Sequence, residues 1–284
     1  MLRRLSVAVL MLAAAVSAGI GQRVLDSMQP PEGAGRHLLY LPSGKYLRAL
    51  APGYRDVLAD LIYLWSIQYY SDYAPADRYV YLEHIYANVI TELDPHYEDP
   101  YLVGAMIMAL EAKDVEMALR LLDKGIAANP DNWLMPFEAG FYCYDTLHDY
   151  RRAAAYFDEA LKVPGVHPVV RRLRAEMFNK AGDKRTSLRL WLQIYETAHD
   201  EYVRSVAYHH VHDLKLQVDV DTLRTALDLY RGERGSWPAT IGDLVKAGII
   251  DRVPVQPNGD PYLYNRRTGQ VRATERLLLL RSGS

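Results

Sequence analysis

Three prolines divide the middle of the chain at almost equal intervals. Pro95 and Pro130 stand 35 residues apart, and Pro164 follows 34 later. The first two share a context, because Asp94-Pro95-His96-Tyr97 resembles Asn129-Pro130-Asp131-Asn132. A second marker recurs between the stops. Asp114–Ala118 (DVEMA), Asp149–Ala153 (DYRRA) and Asp183–Ser187 (DKRTS) fall at the same point of successive units, and Ala118, Ala153 and Ser187 are spaced 35 and 34. A small residue at that point is what two closely crossing helices require. Helical periodicity fills the units. In Arg55–Tyr70, for instance, Val57, Leu58, Leu61, Ile62, Leu64, Trp65 and Tyr69 recur at helical spacing. Strand patterns are almost absent from there to about Tyr230. One such helix pair cannot bury its apolar face alone. Stacked pairs share a continuous core and curve into a superhelix, with atypical outer units as caps.

This pattern resembles the tetratricopeptide repeat (TPR) family, whose unit is a 34-residue helix–turn–helix. The unit near Leu134 meets the family pattern with Tyr144, Tyr150, Ala153, Phe157 and Ala160. The unit near Asp99 meets it with Ala118, Leu122 and Pro130, and that near Pro168 with Ala175, Phe178, Gly182-Asp183 and Trp191. Departures occur where a small residue is expected midway along the first helix: Met106 stands there in the first unit and Phe141 in the second. The flanking stretches Leu64–Pro95 and Tyr202–Tyr230 match only as helical pairs. The resemblance implies a mainly α fold, a TPR-like right-handed α-solenoid over residues 55–218. It also implies that the first helices line a concave groove holding an extended segment or a helix of a partner protein. By that rule the groove comprises Val103, Ile107 and Leu110, then Glu138, Tyr142 and Asp145, then Arg172, Glu176 and Asn179. The Lys and Asn with which some members clamp a carboxyl-terminal carboxylate are missing at Val103 and Ile107, which disfavours a chaperone-tail receptor.

The ends of the chain read differently. Arg3 and Arg4 precede sixteen uncharged residues, Leu5 to Ile20. As a helix this run spans roughly 24 Å, short of a ~30 Å hydrocarbon core. Residues 1–21 therefore read as a signal peptide, cut after the small residues of Val16-Ser17-Ala18, or as an uncleaved amino-terminal membrane anchor. Either places the body of the chain in the periplasm, soluble or held at the inner membrane by residues 5–20. No cysteine follows the apolar run, which excludes a bacterial lipoprotein. Residues 22–54 read as a linker (SMQPPEGAGRH, Ser27 to His37) and an extended lead-in broken by Pro42-Ser43-Gly44 and Pro52-Gly53.

Residues 219–284 form a small α+β element with a hairpin. Leu223–Tyr230 is a short amphipathic helix, Gly232–Pro238 a break, and Thr240 with Asp243 opens a short helix ending near Gly248. Arg266-Arg267-Thr268-Gly269 is a turn between two short strands around Tyr262-Leu263-Tyr264 and Gln270-Val271. The order from Ala226 to Val271 resembles the globular end of type II secretion major pseudopilins: a helix ending in Tyr, a Gly-aromatic-Pro step, a short helix, a Pro-rich turn and an aromatic strand. Pilins carry this element behind a long hydrophobic helix with a prepilin cleavage motif, which residues 1–21 lack. The element then caps the solenoid or docks pilin-like or secretion components.

Composition narrows the chemistry. The net charge is -2, and nothing in the chain points to nucleic acid. A single cysteine, Cys143, rules out an internal disulfide framework and Cys-rich zinc modules. No phosphate-cradling glycine loop, nucleophile elbow, HExxH or EF-hand pattern occurs, and no cofactor is expected. Tyrosine is in excess, 22 against 4 Phe and 4 Trp, which suits half-buried packing with a hydroxyl left to satisfy. Charge is uneven along the repeats. Tyr86–Asp149 holds 12 Asp/Glu and 3 Lys/Arg, whereas Tyr150–Leu190 holds 10 Lys/Arg and 4 Asp/Glu.

Three further residue groups bear on function. His209, His210, His212 and Asp213 share one helix, and His209 with His212 or Asp213 gives two possible metal ligands without an obvious third. Asp60 interrupts an apolar helix, either as a buried acid or at the helix edge. Cys143 sits between Tyr142 and Tyr144 as a small packing residue; His148, the nearest base, falls in the turn. The leading expectation is a non-enzymatic protein–protein interaction scaffold of the bacterial envelope, binding a partner in the groove and assisting a pilus- or secretion-type or other envelope apparatus. The alternatives are a metal-binding or hydrolytic envelope enzyme built on His209, His212 and Asp213, and a structural subunit that self-assembles through its oppositely charged halves.

Overall fold

The computed structural model describes residues 41–71 and 78–279. The elements below belong to one compact unit that begins at Gly44. A short helix α1 (Gly44–Leu50) precedes α2 (Arg55–Tyr70). The predicted extended lead-in over 22–54 is thus corrected at its end: α1 is helical and packs on the segment around Val89 and Thr91. Helix α3 (Arg78–His84) continues through a π-helical stretch, Ile85–Ile90, into α4 (Thr91–Leu93).

Three antiparallel pairs follow. The first joins α5 (Glu98–Met106), with its π-helical extension Ile107–Glu111, to α6 (Val115–Ala128). The second joins α7 (Leu134–Asp145) to α8 (Tyr150–Ala160), and the third joins α9 (Val169–Lys180) to α10 (Lys184–Thr197). Each helix packs on the next in sequence, α6 on α7, α8 on α9, α10 on its successor, so that pairs stack one after another.

The recurrent aspartates explain where the second helices begin. Asp114 accepts the Met117 N–H (2.9 Å), Asp149 the Arg152 N–H (3.0 Å) and Asp183 the Thr186 N–H (3.0 Å). Each satisfies an amide that the helix leaves without a partner. The residue before each cap is left-handed: Lys113 (φ 56), His148 (φ 53) and Gly182 (φ 85). One turn inward, Ala118, Ala153 and Ser187 are fully buried, and Ser187 Oγ donates to the Ala175 carbonyl at 2.7 Å.

The loop ahead of the caps is wider in the first two pairs. The Asp114 N–H reaches back six residues to the Met108 carbonyl and the Asp149 N–H six to Cys143, whereas the Asp183 N–H reaches five to Phe178. One extra residue is absorbed there. The small residues at the pair crossing are accordingly Ala105, Gly140 and Ala175, spaced 35 and 35, all buried. Met106 and Phe141 therefore do not fill the small-residue position; they sit one residue beyond it. At Gly140 a Cβ would lie 2.7 Å from the Phe157 ring and 3.2 Å from the Ala153 carbonyl.

Polar contacts link the second helices to one another and to the helix that follows them, at about the repeat spacing. Glu116 holds Arg152 through two contacts of 2.6 and 3.0 Å, Tyr156 donates to Asp123 (2.8 Å), and Lys184 meets Asp221 (3.0 Å). Part of the charge asymmetry between the acidic and basic stretches is neutralised in these contacts.

Helix α11 (Glu201–Arg234) runs 34 residues without a break and ends at left-handed Gly235. The expected helical pair over Tyr202–Tyr230, with the division at 218/219 and a separate short helix Leu223–Tyr230, is therefore corrected to one continuous helix. The first half packs Ala207 and Leu214 with Ala175, Trp191 and Ile194. The second half packs Leu216, Leu223, Ala226 and Leu227 with Leu244, Tyr262 and Val271. The residue pattern changes near 219 because the packing partner changes. Beyond it lies α12 (Gly242–Lys246), where half of the expected capping box forms: Asp243 accepts the Thr240 N–H at 2.9 Å, while the Thr240 hydroxyl donates to the same carboxylate and caps no helix amide. Strands β1 (Leu263–Asn265) and β2 (Gln270–Arg272) pair antiparallel, Tyr264 opposite Val271.

No helix among the described residues is long and apolar enough to cross a membrane. Helix α2 is apolar but has 16 residues, and α11 is long but charged throughout. On this finding the expected anchoring at the inner membrane is corrected: no described helix supplies it. Residues 5–20, on which the anchor was expected, lie outside the described residues.

Candidate functional site

The exposed face of the first helices was expected to carry the groove, and the extra residue before Asp114 and Asp149 decides which side chains reach it. One residue rotates a helix face by about 100°. Of the predicted set, Ile107 (2% exposed) and Tyr142 (5%) are buried between helices, so they cannot meet a partner. Val103, Glu138, Arg172, Glu176 and Asn179 are half-buried, and Leu110 and Asp145 are exposed. Counting back 35 residues from Glu176 leads to Phe141 and then Met106, which are 38% and 45% exposed. Neither was among the residues expected on the exposed face. The buried small residues Ala105, Gly140 and Ala175 bring them into register with Glu176, a choice of alignment that the spacing of Ala118, Ala153 and Ser187 does not make.

On α7 the exposed side forms an aromatic row. Trp133 meets Phe137 at 5.8 Å between centroids, Phe137 meets Phe141 at 6.4 Å, and Phe141 meets Tyr144 at 6.2 Å. Lys180 lies over the Tyr144 ring at 5.8 Å. The face is thus apolar and aromatic over the first two pairs and polar over the third.

Its charged groups are poorly compensated. Burial pushes the Glu138 carboxyl above the usual range, with a hydrogen bond from Tyr142 opposing it. Burial does the same to Glu176, offset partly by Asn179 and Lys180. Arg172 Nε is buried without a hydrogen-bond partner. His210 stacks flat on Trp191 at 3.9 Å, its Nδ1 3.9 Å from Glu176, and burial lowers its pKa.

The proposed histidine site takes another form. His212 and Asp213, expected on a polar helix face, are buried (6% and 3% exposed). Asp213 Oδ1 lies 2.8 Å from His212 Nδ1 and accepts the Leu278 N–H (2.8 Å), while Oδ2 accepts the Leu279 N–H (3.0 Å). His212 Nε2 faces Glu275 Oε2 at 3.2 Å. These groups tie the carboxyl-terminal segment to α11. His212 Nδ1 and both Asp213 oxygens are hydrogen-bonded, Glu275 Oε2 is buried without a hydrogen-bond partner, and no group of three metal-ligating side chains exists among the described residues. Cys143 is fully buried with its thiol pushed up to about 12 by desolvation, the setting of a packing residue. Asp60 is exposed.

No protein-family model matches the chain, and no curated protein sequence matches it significantly.

Proposed function

We propose that this chain is a protein-interaction scaffold without catalytic activity of its own, a TPR-like right-handed α-solenoid whose first helices hold a segment of a partner protein. The observation that carries the reading is the exposure of Met106, Leu110 and Phe141 on successive first helices. Apolar side chains repeated on one outer face favour a contact surface, because a helix that faces only water is polar there. The aromatic row on α7 supplies rigid contact area at small entropic cost. Half-buried Arg172, Glu138 and Glu176 add charges that gain from a partner's complementary groups. The segment that fits is amphipathic, with its apolar side on the first two pairs and a charged end at the third. A part in assembling a pilus- or secretion-type apparatus belongs to this proposal through the likeness of residues 226–271 to pseudopilin ends.

The test is affinity capture from native cells with the wild type, Met106→Glu, Phe141→Glu and the second-helix control Glu196→Ala. A partner retained by wild type and control but lost from both groove variants supports the reading. The reading fails if every captured protein is indifferent to Met106 and Phe141.

A further inference from the structure

Helix α9 opens with Val169-Val170-Arg171-Arg172-Leu173-Arg174 and has no acidic residue in its first turn. Arg171 and Arg174 lie about 100° and 160° round the helix from Arg172, away from the face that carries Glu176 and Asn179. Both line a cleft of about 240 Å³ between α9, α10 and the end of α8. Arg171 is exposed and has no ion pair or hydrogen bond among the described residues. Arg174 pairs with Asp158. Leu161, Leu190 and Ile194 form an apolar wall, and Gln193 adds an amide.

We propose that this cleft binds a small monocarboxylate bearing an apolar group. Two guanidinia against the single Asp158 carboxylate leave one positive charge in surplus. That matches a monoanion and leaves a phosphate dianion under-compensated. The planar guanidinium fork suits a carboxylate, which it holds through paired hydrogen bonds. The wall of Leu161, Leu190 and Ile194 takes the apolar group. The volume lies below the roughly 300 Å³ at which drug-sized pockets begin, which limits the ligand to side-chain size. A free short branched acid and the terminal residue of a polypeptide present the same chemistry. The inference stands apart from the groove reading, because the cleft occupies the other side of α9.

The experiment titrates the full chain with 4-methylpentanoate, 4-methylpentanamide, acetate and inorganic phosphate, and with a pentapeptide ending in leucine as free acid or amide. Calorimetry reads affinity and amide NMR shifts read position. The expected result is saturable binding of 4-methylpentanoate, with the amide and Arg171→Gln each weaker by about tenfold or more. Acetate is weaker than 4-methylpentanoate, and Leu190→Ala narrows that gap. Thermal melts of Arg171→Gln coincide with wild type, since Arg171 holds nothing in the fold. Tighter binding of the free-acid peptide than of 4-methylpentanoate assigns a polypeptide terminus as the source; equal or weaker binding assigns the free acid. The proposal is overturned by equal affinity for acid and amide, by tighter binding of phosphate, by no saturable binding, or by an Arg171→Gln variant that binds as wild type.

Discussion

Arg152 and Glu116, 36 residues apart, meet through two parallel contacts, Nη1 to Oε1 at 2.6 Å and Nη2 to Oε2 at 3.0 Å. They bolt the second helix of one pair to that of the next. The hydrogen bond from Arg152 is the main reason the Glu116 carboxyl titrates below its usual range. The two side chains are 36% and 54% exposed, so solvent screens the pair. A double-mutant cycle of Glu116→Gln and Arg152→Gln in urea is expected to give a coupling of about 0.5–1 kcal/mol. Because the folded pKa is depressed, this coupling is complete above the unfolded value of about 4.3 and fades as pH falls through the folded one. A coupling of zero at pH 7 would show that the contact holds no net energy.

Gly140 and Gly232 are both helical, yet substitution by alanine should act oppositely. At Gly140 the new Cβ meets the Phe157 ring at 2.7 Å, whereas at Gly232 it meets nothing within 4 Å. Overpacking costs about 1–3 kcal/mol, more than the roughly 1 kcal/mol that alanine contributes through helix propensity. Gly140→Ala should lower the melting temperature, and Gly232→Ala should raise it slightly. Parallel shifts of the two variants contradict the close crossing of α7 and α8.

Asp213 secures the end of the chain to α11. Its oxygens accept two part-buried backbone N–H groups and face buried His212. In Asp213→Asn one acceptor becomes a donor pointed at a donor, and the expected loss is about 3 kcal/mol. Limited proteolysis should then cut near Leu278 before the repeats are cut. Simultaneous cleavage of both regions would mean that the segment and the repeats open together.

Asp243 is held at about 2 by the hydrogen bond from Lys246 first and by Thr240 second. A folded pKa below the ordinary carboxylate value means the interaction persists to low pH and fades only as pH falls through about 2. Lys246→Ala should move the NMR titration midpoint of Asp243 upward, toward ordinary aspartate near 3.9. An unmoved midpoint would assign the shift to Thr240 alone.

Cys143 should not react with a thiol reagent in the native protein at pH 8, because its thiol is buried and pushed up to about 12. Reaction should track unfolding by denaturant. Fast labelling without denaturant would expose an opening of α7 that the packing does not provide for.

The local signals of the repeat were legible. An N-cap aspartate acts on an amide three residues on, so Asp114, Asp149 and Asp183 marked the second helices correctly. The contact of Asp243 with the Thr240 N–H and the hairpin turn at Arg266–Gly269 act over equally short distances and were legible too.

What needed the tertiary structure lies across longer spans. The period of the caps is indifferent to one extra residue before Asp114 and Asp149, yet that residue turns Tyr142 inward and leaves Phe141 facing out. His212 and Asp213 looked like a solvated face because their partners, Glu275 and Leu278, lie more than 60 residues away. The change of pattern near Asp219 looked like the end of a helix because composition registers a new neighbour and a new element alike. Caps, turns and the repeat period follow from forces between residues a few positions apart. Which face of each helix is buried is decided by packing between distant segments, and no local pattern encodes that choice uniquely.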